Sequence, residues 1–210
     1  MSERGPANGA GAQSERAPAR VPERPRILGV AASARKRGNS AALLGRVLEA
    51  LNGECSTEVV YLAGLDLHPC DGCHRCEADG RCRIDDDMRD LYTKLLTCDA
   101  LLLAAPAYMG GIASRMQVFM ERTWPLRKGQ MTGKVGSYIV TGRRRIGMAT
   151  GVMEEYFTRL GATKLPGVLG YAFNAGEIEE DSEALNRARG LAAELTNHLG
   201  RETGETWRSR

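Results

Sequence analysis

The chain predicts an α/β fold built on a doubly wound, five-stranded parallel sheet, and three observations lead there. From Arg26 onward, five short apolar runs alternate with five longer amphipathic stretches. The apolar runs are continuous and do not alternate with polar residues, as expected of strands covered on both faces. The stretches between them are long enough to be the crossover helices that join parallel strands.

The first strand is expected over residues 27–32, where Ile27, Leu28 and Val30 cluster, and the first helix over 40–51, where Leu43, Leu44 and Val47 recur at three- and four-residue spacing. Strand two is expected over 57–62, followed by a long loop over 66–87 and a helix over 88–96. Strand three, 100–105, is the most apolar run in the chain, and a helix is expected over 112–124. Strand four is expected over 136–141 with a helix over 148–160, and a weaker fifth strand over 164–171 with a final helix over 183–199. Ligands of such sheets bind beyond the carboxyl ends of the strands, where strand order reverses, so the loops after strands one, three and four are the ones to read for chemistry.

Composition bounds the function. The 210 residues are 42% hydrophobic and 26% charged, enough for one domain with a real core, expected over residues 25–202. The net charge of +3 is spread over 29 basic and 26 acidic residues that alternate along the chain, which argues against a nucleic-acid surface. The apolar run at 100–105 is far short of the roughly 18 residues a spanning helix needs, which excludes a helical membrane span. Residues 1–24 have the composition of a disordered tail without the apolar centre of a secretion signal, so a cytoplasmic protein is expected, with a second flexible tail at 203–210.

The loop after strand one reads Ser33-Ala34-Arg35-Lys36-Arg37-Gly38-Asn39-Ser40 and runs straight into a helix. Hydroxyls, a guanidinium, a glycine and free helix N–H groups suit a phosphate. Neither a dinucleotide fingerprint nor a nucleotide P-loop is present, so a terminal monophosphate fits better. A basic turn in which Asn39 or Ser40 merely caps the helix is the plainer alternative.

This S-x-R-x-x-G-N-S loop, the P-A-Y-M-G after strand three (Pro106 to Gly110) and a helix ending in Glu121-Arg122 together resemble the NADPH-dependent FMN reductase group of flavodoxin-like proteins. The resemblance covers roughly residues 26 to 200. It implies strand order 2-1-3-4-5, an FMN phosphate held by Ser33, Arg35, Asn39 and Ser40, and an isoalloxazine ring lying along Pro106, Ala107, Tyr108, Met109 and Gly110. Thr141, Gly142 and Arg143 complete the implied cofactor set. It also implies a homodimer or tetramer, with NAD(P)H or a ferredoxin-type protein as donor and a small molecule or redox protein as acceptor. Two departures stand out: Gln117 and Glu121 replace residues commonly Lys and Asp, and the loop after strand four carries three adjacent cations, Arg143-Arg144-Arg145.

Cys70, Cys73, Cys76 and Cys82 form C-x2-C-x2-C-x5-C within the long loop. Four soft thiolates in a glycine-containing segment, with Gly72 and Gly80 supplying turns, can wrap one iron–sulfur cubane. The spacing resembles that of the iron–sulfur flavoproteins, a branch of the same family with a [4Fe–4S] cluster in this loop. Zinc on the four thiolates, or on three of them and His74, is an alternative, as are free thiols. Cys55 and Cys98 are expected as small buried hydrophobes, His68 as an exposed polar residue, and Asp85-Asp86-Asp87 as a helix-capping run. The reading is therefore an FMN-containing iron–sulfur flavoprotein. Its rivals are a clusterless NAD(P)H-dependent FMN or quinone reductase and a zinc-stabilised interaction module.

Overall fold

The computed structural model describes residues 24–202. The expected tails lie outside them, apart from Arg24. In chain order the elements are β1 (Arg26–Ala31), α1 (Asn39–Ala50), β2 (Ser56–Tyr61), α2 (Arg75–Asp79), α3 (Met88–Thr97), β3 (Ala100–Tyr108), β4 (Gly111–Ile112), α4 (Ser114–Arg122), β5 (Val135–Gly142), α5 (Gly147–Leu160), β6 (Thr163–Lys164), β7 (Val168–Tyr171) and α6 (Ser182–Glu202). The parallel order is β2-β1-β3-β5-β6, with β7 also on β5. Counting β6 and β7 as one interrupted strand, this is the expected five-strand order.

Burial explains why the strands read as continuous apolar runs. Along β3, Leu101, Leu103 and Ala105 enter one core cluster, while Ala100, Leu102 and Ala104 enter the other. That period of two sends successive side chains to opposite faces, and both faces are covered. Residues of α3, α4 and α5 fill the first cluster, and residues of α1 and α6 the second.

The structure departs from the expected elements in three places. The fifth strand breaks at Leu165-Pro166-Gly167, and the register on β5 slips by one residue between Gly136↔Lys164 and Ile139↔Val168. Proline lacks the N–H a ladder needs, and Ser137 Oγ instead donates to the Pro166 carbonyl at 2.8 Å. The helix expected from residue 112 starts two residues later, because Gly111–Ile112 fold back antiparallel on Ala107 and Tyr108. Met109 (φ +51°) and Gly110 (φ +82°) make that two-residue hairpin, with the paired positive φ a type I′ turn demands. Finally, the long loop carries a helical turn, α2, which no apolar period announced because none of its residues is buried.

Candidate functional site

The loops after β1, β3, β5 and β7 meet at the carboxyl ends of the strands around a cavity of about 290 Å³. Ser33, Arg35, Asn39, Ser40, Pro106, Ala107, Tyr108, Thr141, Gly142 and Arg143 all line it. Met109 and Gly110 do not: they form the tip of the β3–β4 hairpin, where Met109 is fully exposed.

The loop after β1 is tightly closed on itself. Arg35 N–H donates to Ser33 Oγ at 3.1 Å and Gly38 N–H to the Arg35 carbonyl at 2.9 Å. A Cβ on Gly38 would stand 2.3 Å from Ser33 Oγ, so only glycine lets the loop close this way. Helix α1 follows with no acid in its first turn and no side-chain cap, which leaves its orphan N–H groups available to an anion. Ser40 Oγ is buried and has no hydrogen-bond partner among the described residues. The cavity lining holds two arginines and no carboxylate. A phosphate fits this cradle: it would supply acceptors to the unpartnered Ser40 hydroxyl and the uncapped first-turn N–H groups of α1.

Asn39 has a different arrangement from the one expected. Its Nδ2 donates to the Asn174 carbonyl at 2.8 Å and its Oδ1 accepts from Gly176 N–H at 3.0 Å, so its amide ties α1 to the loop after β7. That loop contributes Ala172, Phe173, Asn174 and Ala175 to the lining, and sequence reasoning missed all four. No motif marks them, yet the rule that placed ligands beyond the carboxyl strand ends applies equally to the fifth strand.

The cysteine segment contributes no residue to the cavity lining and is braced by the end of α4 and the turn after it. Arg122 (1% exposed) makes a bidentate pair with Asp86, at 2.5 and 3.0 Å, and donates to the His68 carbonyl at 2.6 Å. Asp86 also accepts from the N–H groups of His68 (2.9 Å) and Met88 (3.1 Å). Burial pushes the Asp86 carboxyl up, but the hydrogen bonds from Arg122 and these two amides outweigh it and hold its pKa below the usual range. The Asp85–Asp87 run is therefore more than a cap: Asp86 is a buried counter-ion, Asp87 accepts from Asp66 N–H at 2.7 Å, and Asp85 pairs with Arg89 at the surface.

Further along the segment, Cys70 N–H donates to Glu121 Oε1 at 2.8 Å. Glu77, next to Cys76, accepts from Arg127 and from Trp124 Nε1 (2.7 Å), which draw its pKa down to about 2. Gly72, His74 and Gly80 have positive φ, so the chain turns sharply three times. Cys70 and Cys73 are exposed and Cys76 and Cys82 half-buried. Four thiols on so short a segment are a suitable donor set for a cluster, but their side chains do not converge: among the described residues no three Cys, His, Asp or Glu stand grouped to share a metal ion. Cys55 and Cys98 are buried, and burial raises both thiols to about 11.

Comparison with known proteins adds to this geometry. A profile described as NADPH-dependent FMN reductase matches residues 25–175. An iron–sulfur flavoprotein of Methanocaldococcus jannaschii is 36% identical over 124 residues, 58% of this chain and 64% of that protein. An iron–sulfur flavoprotein of Methanosarcina thermophila is 32% identical over 125 residues, 58% of this chain and 65% of that protein. The matched regions thus span just under two thirds of these relatives. A WrbA-like flavodoxin of Agrobacterium tumefaciens superposes with a TM-score of 0.58 at 14% identity, covering 86% of this chain and 99% of that one, a likeness of fold alone.

Proposed function

Because the chain belongs to the NADPH-dependent FMN reductase family, with iron–sulfur flavoproteins among its relatives, we propose that it is an FMN-dependent oxidoreductase. In this reading electrons pass between a reduced donor, NAD(P)H or a ferredoxin, and a small acceptor or redox protein. The observation that carries it is the closed phosphate cradle of Ser33, Gly38 and Ser40 opening into a cavity walled by the loops after β3, β5 and β7. When bound, FMN supplies the redox chemistry, exchanging one or two electrons. The chain's own residues bind and orient it. Ser33, Arg35, Ser40 and the first-turn amides of α1 hold the phosphate. Pro106, Ala107 and Tyr108 with Thr141, Gly142 and Arg143 would line the place of the ring in the cavity. A Cβ on Gly142 would meet Ile146 Cγ2 at 2.7 Å, so the residue after the strand has to be small for Ile146 to pack against its backbone. Asn39 acts indirectly, by holding the loop after β7.

Cys70, Cys73, Cys76 and Cys82 hold a [4Fe–4S] cluster in this proposal, and the exposed segment has to close around it while the Arg122–Asp86 pair keeps its base fixed. The relatives' names and the cysteine spacing support it. Tyr108 in the cavity lining and Met109 next to it are both exposed, which favours a second copy of the chain covering the cavity, as a homodimer or a pair of dimers. No helix among the described residues is long and apolar enough to cross a membrane, and a cytoplasmic location goes with the proposal. Anaerobic purification, followed by flavin extraction and iron and sulfide analysis, tests it. FMN near one per chain with about four irons is expected. FAD, or no flavin after reconstitution with FMN, would overturn the flavin reading. FMN without iron would leave the clusterless reductase.

A further inference from the structure

Where the cysteine segment returns to the body of the protein, its last thiol meets the buried ion pair. Asp86, four residues after Cys82, is gripped by Arg122, and the Tyr92 hydroxyl donates to the Arg122 carbonyl at 2.5 Å. Cys82 is half-buried and its thiol stands beside both side chains. A thiolate there would attract the Arg122 guanidinium, through space, at least as strongly as the Asp86 charge does. Cys73 also has a guanidinium near it, that of Arg83, but this one is nearly half exposed and paired with Asp71, where water screens it.

Arg122 has a donor left over. Its Nη1 donates to the His68 carbonyl and to Asp86, and its Nη2 to the other Asp86 oxygen. Nε is buried and has no hydrogen-bond partner among the described residues. Buried donors are seldom left without an acceptor, because the lost hydration is not repaid. The Cys82 sulfur is a neighbour able to accept, and an ionised sulfur accepts far better than a thiol. Tyr92 cannot serve it in the same way, since its one proton is spent on the Arg122 carbonyl. Asp86 neutralises the pair as a whole, yet it lies at the Nη ends, so the pair is a dipole whose positive end carries Nε.

Resting on the cluster reading above, we infer that Arg122 sets the potential of the cluster, its Nε–H donating to the Cys82 sulfur once the segment has closed. Reduction by one electron from the donor makes the cluster one charge more negative, and N–H donors and positive charge at its sulfurs favour that form. Arg122 therefore raises the potential, and it acts from a site 1% exposed, where salt and water screen it weakly.

Mediated dithionite titration of the anaerobically reconstituted, FMN-loaded protein tests this, with the EPR signal of the reduced cluster and the flavin absorbance read on the same samples. At a fixed ambient potential Arg122→Met should lower the reduced-to-oxidised ratio of the cluster at least about tenfold, a fall of about 59 mV for a one-electron couple. Arg122→Lys keeps the charge but offers no second donor edge, and should lower the ratio at least about threefold. Tyr92→Phe loosens the same joint without taking an N–H from the sulfur, and should stay within about twofold of wild type. The flavin titration should not move in any of the three, because neither residue lines the flavin cavity. Where Arg122→Met fails to fold, the lysine variant decides. An unchanged ratio in the Arg122 variants, or an equal fall in Tyr92→Phe, would overturn the inference. Loss of the cluster from folded, FMN-retaining Arg122→Lys would overturn it too, since Arg122 would then only support the segment. Wild type that retains FMN but takes up no iron refutes the cluster reading itself, and the inference with it.

Discussion

Arg122 and Asp86 are both essentially out of solvent, with side chains 1% and 0% exposed. Breaking such a pair leaves an uncompensated buried charge, at a cost of about 3–5 kcal/mol. The two ways of breaking it are unequal. Arg122→Met leaves Asp86 with the N–H groups of His68 and Met88 still donating to it, and a carboxylate can take up a proton to become neutral. Asp86→Asn leaves a guanidinium that cannot lose its charge, with the His68 carbonyl and the oxygen of the substituted amide, both neutral, to accept from it. Asp86→Asn is therefore expected at the upper end of that range and Arg122→Met at the lower. The wild-type Asp86 pKa is depressed, so its contribution is complete above the ordinary carboxylate value near about 4 and is lost as pH falls through the depressed one. In Arg122→Met the guanidinium no longer holds that pKa down, so the folded-state value rises relative to wild type and the destabilisation grows as pH rises. The gap between the two proteins should be widest at neutral pH and close in acid. Urea unfolding of the FMN-loaded protein across this pH range measures it, provided m stays constant. A gap below about 1 kcal/mol at neutral pH, the worth of a surface pair, or one independent of pH, would refute the reasoning.

Other expectations follow from the two loops. Arg35→Ala should weaken FMN binding by about 1–3 kcal/mol through loss of a charge-assisted contact, and Gly38→Ala should weaken it by forcing Ser33 Oγ aside; flavin fluorescence titration of the apoprotein reads both. Asn39→Ala removes two hydrogen bonds that tie α1 to residues 174–176, costing about 1–2 kcal/mol in thermal or urea unfolding, and should lower FMN affinity less than Arg35→Ala does. Each of Cys70→Ala, Cys73→Ala, Cys76→Ala and Cys82→Ala should lose iron while retaining FMN. Cys55→Ala and Cys98→Ala should keep iron and cost about 1 kcal/mol of packing; iron and flavin analysis of the purified variants separates the two groups.

What the sequence determined by itself is local or periodic. Leu101, Leu103 and Ala105 against Leu102 and Ala104 make a strand apolar on both faces, and that alone implies helices above and below a parallel sheet. Leu91 and Leu95 in α3, or Met153, Phe157 and Leu160 in α5, announce helices because burial at 3.6-residue spacing needs no knowledge of the partner. The loop after β1 was legible as a candidate anion site, since a serine, a glycine and a helix start fall within eight residues, with a plain capping turn as its alternative. Tertiary structure decided whatever depends on distant pairing. Only the fold shows that Asp86 neutralises Arg122 across the cysteine segment, or that Asn39 is tied to Asn174 instead of waiting for a ligand. Only the fold brings Phe173 to Arg143 and the loop after β7 into the cavity wall. The physical reason is that periodicity records whether a side chain is buried, whereas hydrogen bonds and ion pairs depend on which two groups meet, and chain topology sets that.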